Sequence, residues 1–196
     1  MEAFQNFESK AIPFPYVSVD TDQIIPKQFL KSTQKKGFGK YLFYNWRYNS
    51  TGESRNDFVL NNPEYSGYKI LLTLDNFGSG SSREHAVWAL MDYGFKAIIS
   101  PSFADIFYSN CLKNGILPII LPKNEIEYLF DNPNCIIKID LNKQEIDLKP
   151  VSKQLKFQID RSKKKMLLEG LDEIGMTLEL ERDISDYENK SYRDFN

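Results

Sequence analysis

The sequence predicts an α/β fold, with a parallel core sheet and an antiparallel second layer, as one unit spanning residues 1–196. Two observations carry that expectation. Between Tyr68 and Phe130, apolar strand-like runs alternate with stretches of helical spacing, the order of right-handed βαβ crossovers. From about Cys135 onward the pattern becomes short alternating strands and then a helical tail, an antiparallel and helical extension of the same unit. With 196 residues the chain can bury a core without disulfides or metal staples.

The elements follow in chain order. "IPFPYVSVD" reads as short strands with bends, because proline is excluded from central strand positions. In "DTDQIIPKQFL", Pro26 stands where a short helix can begin. Residues 32–62 are aromatic and glycine-punctuated, which predicts short helices and long loops; such stretches in compact domains are often functional. "YKILLTL" is a buried strand. A Gly/Ser turn follows, then a helix with Val87, Leu90 and Met91 at helical spacing and Gly94 as its stop. "FKAIIS" is the next strand. "PSFADIFYSNCLKNG" is a helix with Ser102 as N-cap and Gly115 as stop, its face traced by Phe103, Ile106, Phe107 and Asn110. "ILPIIL" and "KNEIEYLF" give a third strand and a short helix. "CIIKIDL", "QEIDL" and "LKFQID" are antiparallel strands, and the tail from Lys163 closes as helices.

Composition excludes several classes. A formal net charge of −2 gives no broad footprint for nucleic acid, and the run Lys163-Lys164-Lys165 reads as a solvated helix face. No stretch has the apolar length of a membrane span, and "MEAFQNFESK" lacks an apolar signal region. Two cysteines, Cys111 and Cys135, favour a reducing cytoplasm and are too few for an all-thiolate iron–sulfur cluster.

The chemistry concentrates in "NFGSGSSREHAVWAL", residues 76–90, which holds the only histidine. A glycine-rich turn between strand and helix leaves backbone N–H groups free and is a ready anion site. It is not a Walker A loop, since no Lys then Ser/Thr follows the last glycine, nor a dinucleotide fingerprint, since Arg83 stands where a third glycine belongs. Nor is it a hydrolase elbow, and His85 lies too close to the serines for a triad. Arg83 can grip a carboxylate bidentately. The purely structural alternative is that Ser81 or Ser82 caps the helix, with Glu84 or His85 completing the cap.

Three blocks together, "VDTDQIIPKQFLK", "NFGSGSSREHAVWALMDYGFKAIISPSFADIFYSNCLKNGILPI" and "GLDEIGMTL", resemble the small-subunit family of bacterial isopropylmalate isomerases, within the aconitase superfamily. The resemblance runs nearly the full length. It implies the swivelling β/β/α fold of the aconitase C-terminal domain. It also implies a hydro-lyase of leucine biosynthesis that interconverts 2- and 3-isopropylmalate through 2-isopropylmaleate. In such enzymes Ser81 is the general base, Ser82 a hydrogen-bond donor near the substrate, and Arg83 the clamp on a substrate carboxylate. Thr21 and Asp22 come to the site's edge, with Asp22 holding groups around the serine turn. Phe38, Tyr41 and Leu42 fall in the substrate-selecting segment or in the core, and Arg47 leaves open a third carboxylate on the ligand. The resemblance implies no metal in this chain, a [4Fe–4S] cluster in a large-subunit partner, and activity only as that heterodimer. Many members carry cysteine where this chain has Ser79. Sister dehydratases acting on homocitrate, citramalate or dimethylmalate, and a stand-alone phosphate-binding module, are the alternatives. Outside the turn, His85 is expected to make a structural bond near the helix start, and Cys111 to serve packing.

Overall fold

The computed structural model describes residues 1–30, 36–178 and 181–193. Two four-stranded sheets face each other. The first is wholly parallel and runs in chain order: β2 (Ala11–Phe14), β3 (Ile70–Thr73), β4 (Ala97–Ser100) and β5 (Leu117–Ile120). The second is antiparallel, in the order β1 (Phe7–Ser9), β6 (Ile136–Asp140), β7 (Glu145–Lys149) and β8 (Lys153–Lys156). The expected α/β class with parallel and antiparallel layers is therefore what the chain adopts. One element differs from expectation: β1 leaves the N-terminal segment to pair with β6, registering Glu8 with Lys138. That partner lies far away in sequence, so local pattern could not reveal it.

Both faces of the parallel sheet are buried, and alternation divides them. Ile12, Phe14, Leu71 and Ile98 face one core with the helices. Ala11, Ile70, Leu72, Ala97, Ile99, Leu117 and Ile119 face the other, against Ile137, Ile139, Ile146 and Leu148 of the antiparallel sheet. The layers are thus helix, parallel sheet, antiparallel sheet. Each edge of the parallel sheet carries a proline, Pro13 in β2 and Pro118 in β5, where a missing N–H is tolerated.

The long β2–β3 connection holds α1 (Thr21–Ile24) and α2 (Tyr44–Arg47), with 3-10 turns at Lys27–Phe29 and Gly39–Tyr41. Pro26 does open a helical turn, but α1 ends at it, as the restricted residue before proline requires. Residues 32–35 of the aromatic segment lie outside the described residues. Helices α3 (Glu84–Tyr93) and α4 (Asp105–Asn114) are the two crossovers, stopped at Gly94 and Gly115 in left-handed conformation as expected. Then come α5 (Lys123–Asp131), α6 (Arg161–Glu169), α7 (Glu173–Leu178) and α8 (Glu181–Arg193).

Two expectations for α4 are corrected, one for its cap and one for its buried face. The N-cap of α4 is Ala104, not Ser102, because the Ser102 hydroxyl instead accepts from the Asn76 N–H at 2.8 Å. Ile106 does not join the buried face of α4; it is 53% exposed, and Phe107, Cys111 and Leu112 form that face.

Candidate active site

The turn after β3 is built in two halves. Residues 76–79 are stitched on both sides like a strand extension. Gly78 and Ser79 N–H groups donate to the Val19 carbonyl, Thr21 N–H donates to the Ser79 carbonyl, and Phe77 exchanges backbone bonds with Ser102 and Ala104. The Ser79 hydroxyl donates to the Ser18 carbonyl at 3.2 Å. Gly78 is required here: its φ is +80°, and a Cβ would stand 2.0 Å from the Phe107 ring. Gly80, at φ +91°, then turns the chain outward.

From that point the groups are free. Ser81 and Ser82 are exposed, and their hydroxyls have no hydrogen-bond partner among the described residues. The backbone N–H groups of Gly80 to His85 likewise donate to no acceptor among the described residues. The N-cap of α3 is Arg83, with no side-chain cap. The capping role considered for Ser81, Ser82, Glu84 and His85 is therefore corrected, and the N-terminus of α3 remains open to an anion.

Helix α1 fixes this turn from the other side. Its N-cap Asp20 and Gln23 form a capping box, a D-x-x-Q signal that was present in the sequence. Thr21 is 2% exposed and its hydroxyl donates to the Ser81 carbonyl at 3.0 Å. Asp22 accepts from Arg83 Nη1. That hydrogen bond, helped by the charges of Arg83 and Lys27, holds the Asp22 carboxyl below the usual aspartate range against the opposing effect of burial. Arg83 Nε and Nη2 have no acceptor among the described residues, so the guanidinium keeps donors to spare.

Of the two placements the sequence leaves open for Phe38 and Leu42, the core is the one they take, which corrects their assignment to the substrate. Phe38 and Leu42 are 1% and 0% exposed within the helix-side core, so neither offers surface to a ligand. The cause is a clamp at the base of the loop: the Asp92 carboxylate accepts from the N–H groups of Gly37 and Gly39. A Cβ at Gly39 would stand 2.8 Å from the Tyr93 nitrogen. Tyr41 keeps part of its surface, stacked on Phe29 at 4.0 Å. Arg47 is a structural clip, bonded to Asn61 and the Gly39 carbonyl. The His85 side chain makes no hydrogen bond among the described residues; its ring packs on Phe38 and Trp88 instead. Trp88 donates to Asn114, which in turn donates to Glu84, a buried bridge between α3 and α4 with no signature in the sequence.

The two thiols do not suit an iron–sulfur cluster in this chain. Cys111 and Cys135 are both buried, and burial pushes the Cys111 thiol well above its ordinary value, away from the thiolate a metal needs. No three His, Cys, Asp or Glu side chains gather as a ligand set among the described residues. A groove of about 590 Å3 lies elsewhere, between residues 1–5 and the C-terminal ends of α3 and α4. Among the described residues no helix is long and apolar enough to cross a membrane.

Known proteins are similar to this chain. Residues 1–124 match the family model described as the aconitase C-terminal domain. A small subunit of 3-isopropylmalate dehydratase from Phenylobacterium zucineum is 49% identical over 97% of this chain and 95% of its own length. The chain belongs to the family of 3-isopropylmalate dehydratase small subunits. Another member, from Lactococcus lactis subsp. cremoris, is 51% identical over 97% of this chain and 99% of its own. The crystal structure of a 3-isopropylmalate dehydratase from Methanocaldococcus jannaschii superposes with a TM-score of 0.68. It is 29% identical, covering 93% of this chain and 99% of that one. A protein of this family is by its name one part of an enzyme, which fits a site that stands open on the surface.

Proposed function

We propose that Ser81 is the general base and Arg83 the carboxylate clamp of the hydro-lyase that this small subunit forms with a large subunit in leucine biosynthesis. The observation that carries the reading is the free pair of hydroxyls, Ser81 and Ser82, beside an open helix N-terminus and a guanidinium with unused donors. On this reading the substrate is a hydroxy-dicarboxylate of the isopropylmalate type. One carboxylate seats on Arg83 and the N–H groups of residues 80–85. Ser81, as the alkoxide, takes the proton from carbon while the neighbouring C–O bond breaks and the double bond forms; the hydroxyl leaves as water, with its proton supplied from the large-subunit side of the site. Rehydration in the other sense returns the proton from the Ser81 hydroxyl. Asp22 orients Arg83, and Thr21 holds the Ser81 peptide rather than touching the ligand.

Energetics argue for a partner over this site. Lowering a serine pKa by roughly five units takes about 7 kcal/mol. A helix N-terminus provides at most about 2 kcal/mol. The remainder must come from aligned N–H donors, the Arg83 charge and exclusion of water, and an exposed turn excludes no water by itself. Since the thiols of this chain do not suit a cluster, the [4Fe–4S] centre is assigned to the large subunit, and no step performed by this chain passes through it. A cytoplasmic location and a single unit over 1–196 complete the reading. The test is reconstitution: the chain with its large subunit should interconvert 2- and 3-isopropylmalate, and neither chain alone should. Full activity of the isolated chain contradicts the proposal, and preference for homocitrate or citramalate would move it to a sister dehydratase.

A further inference from the structure

Helices α7 and α8 form an amphipathic arm whose apolar side chains are left uncovered by the described residues. Its root is fixed. The Gly170 carbonyl accepts from the Met1 ammonium at 2.8 Å, and a Cβ at Gly170 would stand 2.6 Å from the Met1 carbonyl. Leu171 and Met176 pack on the core between the sheets, which moors one side of α7. Away from that side, Ile174 and Leu178 are 71% and 60% exposed, four residues apart on α7. On α8, Ile184 and Tyr187 are 40% and 73% exposed, three residues apart, and every α8 side chain described is exposed.

Three observations indicate what covers this arm. A 13-residue helix is marginal alone in water, so α8 needs a surface to lie on. Residues 172–193 hold seven Asp and Glu against three Lys and Arg, so that surface should be basic around an apolar centre. The exposed apolar side chains Ile174, Leu178, Ile184 and Tyr187 supply the apolar centre that such an interface needs. We propose that α7 and α8 form a docking arm for the large subunit, seated in an apolar groove rimmed by lysine and arginine. A second copy of the chain is a poorer occupant, because two acidic arms repel. The arm lies beyond residues 1–124, which match the aconitase C-terminal domain. The proposal rests on the pairing with a large subunit put forward above.

The experiment uses the full-length chain and purified large subunit. The double variant Ile184→Ser/Tyr187→Ser is compared with wild type and with Val151→Ser, which removes a 44% exposed apolar residue between β7 and β8. Binding is titrated at low and high salt, turnover is measured at saturating large subunit, and melting checks that the fold is unchanged. The expected result is a Kd raised at least about tenfold in the double variant only, with turnover at saturation intact. Wild-type binding should weaken as salt rises. A double variant that binds like wild type overturns the arm while leaving the pairing standing. Self-association of the wild-type chain that disappears in the double variant also overturns it, in favour of a second copy. If the wild-type chain forms no complex with the large subunit, the pairing itself fails and the arm proposal with it.

Discussion

Two turns leave adjacent strands at the same end of the parallel sheet; Ser100 and Ser102 mark one, and Ser81 and Ser82, beyond the Ser79 that bonds to Ser18, mark the other. After β4, Ser100 is fully buried and its hydroxyl lies 2.8 Å from the carbonyls of both Leu74 and Ser102, while the Ser102 hydroxyl accepts from Asn76. After β3, Ser81 and Ser82 are exposed and their hydroxyls bond to nothing among the described residues. The first pair spends its hydrogen bonds on tying one turn to the next. The second is held by its backbone alone, through Gly78, Gly80 and Thr21, and its hydroxyls are left for something else. Serine content therefore does not distinguish a scaffold turn from a reactive one; the fate of each hydroxyl does.

The largest effect should come from the joint between the two turns. Gly78→Ala sets a methyl group into Phe107 on α4 and strains a left-handed backbone. Overpacking costs about 1–3 kcal/mol and the left-handed conformation about 1–2 more, a large share of a total stability of about 5–15 kcal/mol. Loss of soluble folded chain in a denaturation series is the expected outcome; a wild-type midpoint would mean that the turns are not interlocked as described.

Arg83→Lys should act next most strongly. It keeps the charge but gives up the planar fork, so kcat/KM of the assembled enzyme should fall at least about tenfold with melting unchanged. An unchanged kcat/KM would remove Arg83 from the reactive side of the comparison.

A smaller effect concerns pH. The Asp22 carboxyl is depressed by its hydrogen bond to Arg83, so the folded form titrates below the unfolded one. The pair's contribution is complete above the ordinary aspartate value of 3.8 and is lost as pH falls below it. Above pH 3.8, kcat/KM should show no acid limb that Asp22→Asn abolishes. Such a limb would mean that Asp22 titrates as part of the chemistry instead of orienting Arg83.

The sequence made some of this contrast legible and hid the rest, along a line drawn by distance. The stops at Gly94 and Gly115 were readable because a left-handed cap is a local event. The glycine turn was readable as a candidate anion site, but the sequence left open that Ser81 or Ser82 caps the helix. The cap assignments failed for a non-local reason. Gly80 diverts Ser81 and Ser82 from the α3 axis, and Thr21, sixty residues earlier, holds the diverted peptide. Likewise Ser102 bonds to Asn76 of the neighbouring turn, not to its own helix. The sequence could not choose between core and substrate loop for Phe38 and Leu42, because the loop is anchored by Asp92 reaching back across more than fifty residues to Gly37 and Gly39.

The most direct test replaces one serine from each turn. Ser81→Ala and Ser100→Ala chains are assembled with saturating large subunit, and turnover and Tm are measured on both. Ser81→Ala should lose about 10²–10⁴-fold in turnover at an unchanged Tm, because an unbonded hydroxyl supports no structure. Ser100→Ala should lose about 1–3 kcal/mol by stranding buried polar groups, at ~2–4 °C of Tm per kcal/mol, and keep its turnover while folded. Ser81→Ala retaining more than about a tenth of wild-type turnover while melting lower would contradict the account, since Ser81 would then be a scaffold serine like Ser100.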